Sequence, residues 1–469
     1  MIPAGPVVTD RPDRPLETFP LTAEHTPPRA ESWPAPTTAL LPDDDPFYRP
    51  NEDYAQHAPG TVLRWRPIEL AAFGLIPLRV TAWQLLYRTS DLNGKPDAGV
   101  TTVIAPAGGT APGTPLLSFQ CAIDAVSSRG FPSYGLQRGS RAIGTFAHVE
   151  LLCFADALTR GWAISIPDHE GMLGAWGAPR EPGYRALDGA RAALAFGPLG
   201  LDSTAQVGLW GYSGGGLATS WAAETAPTYA PELDIIGAVL GSPVGDLVAT
   251  FHRLNGGLHA GLPTLVVAAL RRVYPAFDAV LGAHVNEAGL AVLDRAATSS
   301  TGATVLRLAR YNVERHISIP LAELLALEEM AAVFADAELG TSAPEVPMLV
   351  VQAVHDQIIA SDDIDALVER YRAHGAHVTY LRDRLSEHLT LLALSTPLSL
   401  NWLADRFAGA PVTPSETRTV WSVLGLPAGR RGLLELAHAA LRVLFARPMP
   451  GSATRPVPDA DLGTDRRAA

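Results

Sequence analysis

The sequence predicts an α/β fold, a mostly parallel central sheet with helices on both faces. Two observations carry that expectation. From about Pro115 to His374, short apolar runs of strand length alternate with helical segments. One long stretch between two of those strands reads as helix only. Parallel strands buried on both faces need the first pattern, because each crossover must travel back along the sheet. The second reads as a helical cap over the strand C-termini, the edge where such sheets hold their sites.

The elements follow in order. Residues 1 to about 50 are dense in proline, with Pro27-Pro28 and the acidic run Asp43-Asp44-Asp45, and read as an extended arm without its own core. Residues 51–244 form the first part of the α/β unit. Residues 78–87 and 99–104 are β-rich, and Asn93-Gly94 between them marks a hairpin. Strands are expected at 115–119, 162–166, 207–210 and 235–240, with helices at 148–160, 183–195 and 214–226. Residues 245–343 form the cap, with candidate helices at 264–273, 285–296, 303–311 and 321–337. The unit resumes at 344–410, with strands at 348–353 and 378–381 around a helix at 365–374. Residues 411–469 offer one helix, about 433–445, packed on the core. A disordered tail is expected from Pro448.

Composition narrows the function classes. At 469 residues and 47% hydrophobic, the chain holds ample material for a large core with an insertion. A net charge of −12 repels phosphate backbones and argues against nucleic acid as a partner. Cys121 and Cys153, the two cysteines, sit in apolar runs and read as buried free thiols. No HExxH and no Cys/His cluster suggests a metal, and nothing implies a cofactor. The N-terminal residues lack a basic stretch followed by an apolar run, so the sequence reads as soluble and cytoplasmic as written.

The chemistry concentrates in Gly211-Tyr212-Ser213-Gly214-Gly215, which follows the strand at 207–210 and precedes a helix. That is the context of a nucleophilic serine on a tight strand-to-helix turn, with small neighbours because backbone passes close by. Such a context implies the α/β-hydrolase form of the fold. A serine hydroxyl needs an oriented base, and the chain order in this fold is serine, acid, histidine. Asp356, just beyond the strand at 348–353, is the expected acid. Asp362, Asp363 and Asp365 compete, but the start of the next helix explains them. His388, where a loop meets a helix, is the expected base. His355 precedes the acid, and His377 lies at the wrong end of its strand. The oxyanion needs two backbone donors: the N–H of Gly214, and a second N–H in the loop from Gln120 to Asp124. Asp168-His169-Glu170-Gly171 reads as loop anchoring and pocket wall.

These motifs resemble the secretory lipase family of fungi and actinobacteria. The likeness runs from about Phe119 to Phe407. Its landmarks are Asp168-His169-Glu170-Gly171 with Leu187-Asp188-Gly189, the Ser213 turn, Tyr229-Ala230-Pro231-Glu232-Leu233, and Glu387-His388-Leu389-Thr390. The resemblance implies Ser213, Asp356 and His388 as a triad, with Asp124 as the second oxyanion donor beside Gly214. It also implies hydrolysis of triacylglycerols and simpler acyl esters under a helical cap, and export. The expected reaction is therefore ester hydrolysis through an acyl-enzyme on a small-molecule or lipid ester, with transient contact at a lipid interface. Leu265, Val266, Leu270, Leu306, Leu321 and Leu324 make the cap apolar enough for a fatty acyl chain. An acyltransferase or short-chain esterase on the same fold, or a silent lipid-binding relative, are the alternatives.

Overall fold

The computed structural model of the chain describes residues 30–449 except Ile143 and Thr413. Its strands are β1 (Glu31–Ser32), β2 (Val62–Ile68), β3 (Ala71–Ala72), β4 (Ile76–Pro77), β5 (Thr81–Ser90), β6 (Pro96–Ala105), β7 (Leu116–Gln120), β8 (Ala163–Pro167), β9 (Val207–Tyr212), β10 (Ile235–Gly241), β11 (Met348–Ala353), β12 (Val378–Asp383) and β13 (Glu416–Val420). All but β3 and β4 join one sheet in the order β1-β2-β5-β6-β8-β7-β9-β10-β11-β12-β13. The pairs β2–β5, β5–β6 and β6–β8 are antiparallel, and the remaining neighbours are parallel.

The five residues of β7 and of β8, and the six of β9 and of β11, are all buried. Helices therefore cover both faces. Helices Glu181–Ala195 and Gly214–Tyr229 bury Ala190, Ala193 and Ala222 against one face. Helices Ala147–Thr159 and His388–Phe407 bury Leu151, Phe154, Leu398 and Leu403 against the other. No helix among the described residues is long and apolar enough to cross a membrane.

Several expectations need correction. The stretch at 321–337 is two helices, Leu321–Leu325 and Glu328–Asp336. One continuous helix would set Leu321 and Met330, nine positions apart, on opposite faces; the break at Ala326-Leu327 returns both to the core. Two further helices, Leu247–Leu254 and Pro275–His284, lie in the inserted region. Leu306 is 82% exposed, because helix Thr301–Arg307 turns Thr301 and Thr304 inward and leaves Leu306 on its far side.

The arm is anchored from residue 30 onward, where it is described. Phe47 and Tyr48 are buried against Leu86, Ala98 and Val100. At the other end, helix Pro427–Leu444 packs on the core through Leu436, Ala439 and Val443. Order continues past it. Met449 is fully buried and its carbonyl accepts the Ala107 N–H at 3.0 Å, so the tail does not begin at Pro448. Residues 450–469 lie outside the described region. Both cysteines are free and buried.

Candidate active site

Ser213 follows β9 directly and occupies the N-cap position of helix Gly214–Tyr229, with φ 55° and ψ −120°. That backbone region is sparsely populated for a residue with a Cβ, and it points the side chain away from both elements. Two neighbours must be glycine for the turn to form. A Cβ on Gly211 would lie 2.1 Å from the Gly215 carbonyl oxygen, and one on Gly215 would lie 2.0 Å from that of Gln120. The Ser213 N–H donates to the Gly241 carbonyl at 2.8 Å, tying the turn to β10.

His388 opens helix His388–Phe407, which Glu387 and Thr390 close with a capping box. Asp383 positions the preceding loop: its Oδ1 accepts the N–H groups of Leu385 and Ser386, both at 2.8 Å. The imidazole Nε2 lies 2.9 Å from Ser213 Oγ, and Nδ1 lies 2.7 Å from Asp356 Oδ2. Asp356 is itself fixed. Its Oδ1 accepts the N–H groups of Ile358 and Ile359 at 2.8 Å each, and Oδ2 accepts Gln352 Nε2 at 3.1 Å. The chain Ser213–His388–Asp356 thus has the hydrogen-bond spacing of an activated nucleophile, its base and an orienter. The rivals stand apart from it. His355 is exposed, and Asp362 and Asp363 lie in the first turn of helix Ser361–Ala373.

Asp124 sits beside this chain in an unexpected orientation. Its φ is 48°. Its N–H donates to Glu170 Oε1 at 3.0 Å, and its carbonyl accepts Thr301 Oγ1 at 2.7 Å. The carboxyl instead faces Gly214: a Cβ there would fall 1.8 Å from Asp124 Oδ1. Oδ1 is buried without a hydrogen-bond partner among the described residues. Burial pushes the Asp124 pKa up to about 7, against a smaller lowering by His388. The Trp176 indole Nε1, also buried and unpartnered, lies close by; sequence reading did not single it out.

The Asp168-His169-Glu170 run anchors the loop that carries Asp124. Asp168 accepts the Ser133 N–H at 3.1 Å, His169 Nε2 bonds the Cys121 carbonyl at 2.7 Å, and Glu170 Oε2 accepts the Ala125 N–H at 3.3 Å. Glu150 adds a further anchor, both its oxygens bonding the Ala122 N–H. None of these four side chains lines the cavity at Ser213, although Asp168 and Gly171 line a smaller one of about 230 Å³ beside Tyr48 and Phe131. The other landmarks meet elsewhere: Asp188 accepts Tyr229 Oη at 2.7 Å and Arg191 Nη1 at 2.8 Å.

The cavity at Ser213, about 590 Å³, is lined by Asp124, Trp176 and Ser213 together with the apolar Val266, Leu270 and Ile359. A second apolar cavity of about 630 Å³, lined by Leu293, Leu321, Leu324 and Met330 among others, lies in the inserted helices. Phe251, Pro263, Val267 and Phe334 line both and form the partition between them. Leu265 is buried and lines neither.

A family profile described as secretory lipase matches residues 136–415. A Mycobacterium tuberculosis protein named as a probable inactive lipase is 53% identical over 412 residues, 87% of this chain and 92% of that one. Lipase A of Arthroderma benhamiae is 36% identical over 450 residues, 93% of this chain and 92% of its own. Among solved structures, Candida antarctica lipase A in its closed state matches with a TM-score of 0.78 at 27% identity, covering 89% of this chain and 100% of that one.

Proposed function

Because the chain belongs to the secretory lipase family and has its α/β-hydrolase fold, we propose that it is a serine carboxylic ester hydrolase acting on fatty acyl esters. One observation carries this reading. An unbroken hydrogen-bonded chain from Ser213 Oγ through His388 to Asp356 opens into an apolar cavity.

Ser213 Oγ attacks the ester carbonyl as His388 Nε2 takes its proton, and Asp356 holds the imidazole and stabilises the imidazolium. His388 then gives the proton to the leaving alkoxide. Water, deprotonated by the same nitrogen, releases the acid from the acyl-enzyme. Two donors face the developing oxyanion. One is the N–H of Gly214. The other is the protonated carboxyl of Asp124, because that residue's N–H is already bonded to Glu170. An aspartic acid kept neutral near pH 7 by burial donates a hydrogen bond that an aspartate cannot. The apolar walls suit an acyl chain, each buried CH₂ contributing about 0.8 kcal/mol. Acylglycerols combine such chains with this ester chemistry.

The name of the Mycobacterium tuberculosis relative favours a second reading, a catalytically silent lipid-binding protein. Hydrolysis of p-nitrophenyl esters from two to sixteen carbons, by wild type and Ser213→Ala, separates the two. Turnover that rises with chain length and vanishes in the variant supports the lipase. Turnover confined to the shortest esters supports a short-chain esterase. No turnover on any ester overturns the hydrolase reading.

A further inference from the structure

Asp124 adopts a left-handed backbone, costly for a residue with a Cβ, and such a conformation persists only where its surroundings over-determine it. Two side chains from distant parts of the sequence do so. Glu170, in the loop after β8, accepts the N–H groups of Asp124 at 3.0 Å and Ala125 at 3.3 Å on its two oxygens. Thr301, the first residue of helix Thr301–Arg307 in the inserted segment, donates to the Asp124 carbonyl at 2.7 Å. Both holders are buried, Glu170 at 1% and Thr301 at 3% exposure. Water therefore does not compete for these bonds.

We propose that Glu170 and Thr301 are positioning residues that jointly lock the Asp124 backbone, so that its carboxyl rather than its N–H faces the oxyanion beside Gly214. Neither holder lines the cavity at Ser213. Each acts through Asp124, and the inference rests on the donor role given to Asp124 above. One consequence concerns the inserted helices. Thr301 ties them to the oxyanion site, so displacing that segment frees the Asp124 carbonyl and slows the chemistry while Ser213, His388 and Asp356 stay in place.

The test is a double-mutant cycle on p-nitrophenyl butyrate, with a thermal melt of every variant. Thr301→Val keeps the side-chain shape and removes only the hydroxyl, and Glu170→Gln keeps the shape and removes one acceptor. Each is made alone and in Asp124→Ala. Alone, each lowers kcat by ~10-fold or more with KM within about twofold; in Asp124→Ala, each lowers kcat by less than about twofold. Thr301→Ser restores kcat.

Equal losses in both backgrounds, or a rise in KM at unchanged kcat, overturn the positioning role and leave the donor role of Asp124 standing. An unchanged kcat in Asp124→Ala removes the donor role itself, and the positioning role with it. Should Glu170→Gln fail to fold, the Thr301→Val cycle and its serine rescue decide the outcome.

Discussion

Asp124→Asn replaces the carboxyl that faces Gly214 with an amide of the same shape, which donates a hydrogen bond at every pH. On the proposed mechanism the wild-type donor is the neutral acid, whose pKa burial raises to about 7. The neutral fraction falls about tenfold for each pH unit above that value. The kcat of the wild type is therefore expected to decline from pH 7 to pH 9, where about a hundredth of the carboxyl is still neutral. One such donor is worth about 2.7–4 kcal/mol, or roughly 10²–10³ in kcat, so the fall from pH 7 to pH 9 follows the neutral fraction and comes to roughly 25- to 50-fold. Asp124→Asn should abolish the alkaline decline and keep kcat within ~10-fold of the wild-type value at pH 6, since the amide still donates. The assay is kcat on p-nitrophenyl butyrate from pH 5 to 9, read at an isosbestic wavelength. A wild-type kcat that is flat or rises from pH 7 to 9, with an identical profile in Asp124→Asn, refutes the neutral-acid donor.

Other expectations follow from the same geometry. Asp356→Asn leaves the cavity intact but stops the carboxylate from orienting His388, so kcat should fall by ~10⁴-fold with little change in KM, checked by steady-state kinetics. Phe251→Ala thins the partition between the two cavities, and each methylene that then enters apolar space adds about 0.8 kcal/mol, or ~4-fold in kcat/KM. A chain-length series should show the optimum moving to longer esters; an unmoved optimum places the acyl chain elsewhere. Buried acids set the pH dependence of stability. Burial lifts Glu150 from 4.5 to about 8, so between those values the folded state holds a proton that the unfolded state has lost. Stability therefore falls as pH rises through that window, by ~1.4 kcal/mol per unit for each such proton. Glu150→Gln should flatten the fall in Tm between pH 5 and 8.

Much of the fold and of the candidate site was legible because the signals were local. Buried parallel strands such as β7 and β11 are short continuous apolar runs. Gly211 and Gly215 are glycines because backbone oxygens approach within a Cβ radius, a constraint the motif records directly. Elements with little apolar content were not legible. Strand β13 is a half-exposed edge of Glu, Thr and Arg, with no inward stripe to betray it. The missed helices did carry signals: Asp246 caps Leu247–Leu254, accepting the Ala249 N–H at 2.8 Å, and Pro275 stands in the first turn of Pro275–His284. The orientation of Asp124 lay beyond sequence reading. It depends on a positive φ and on contacts with residues 46 and 177 positions away, and no local pattern encodes either.

Whether Ser213 is a nucleophile separates a hydrolase from a silent relative. Incubation with a p-nitrophenyl alkylphosphonate, followed by intact mass and peptide mapping, reads this directly and needs no knowledge of the natural ester. The expected result is one phosphonyl adduct per chain, on Ser213, with release of one p-nitrophenol, and no adduct in Ser213→Ala or on heat-denatured wild type. A folded wild type that stays unlabelled, or is labelled equally in Ser213→Ala, contradicts the central claim.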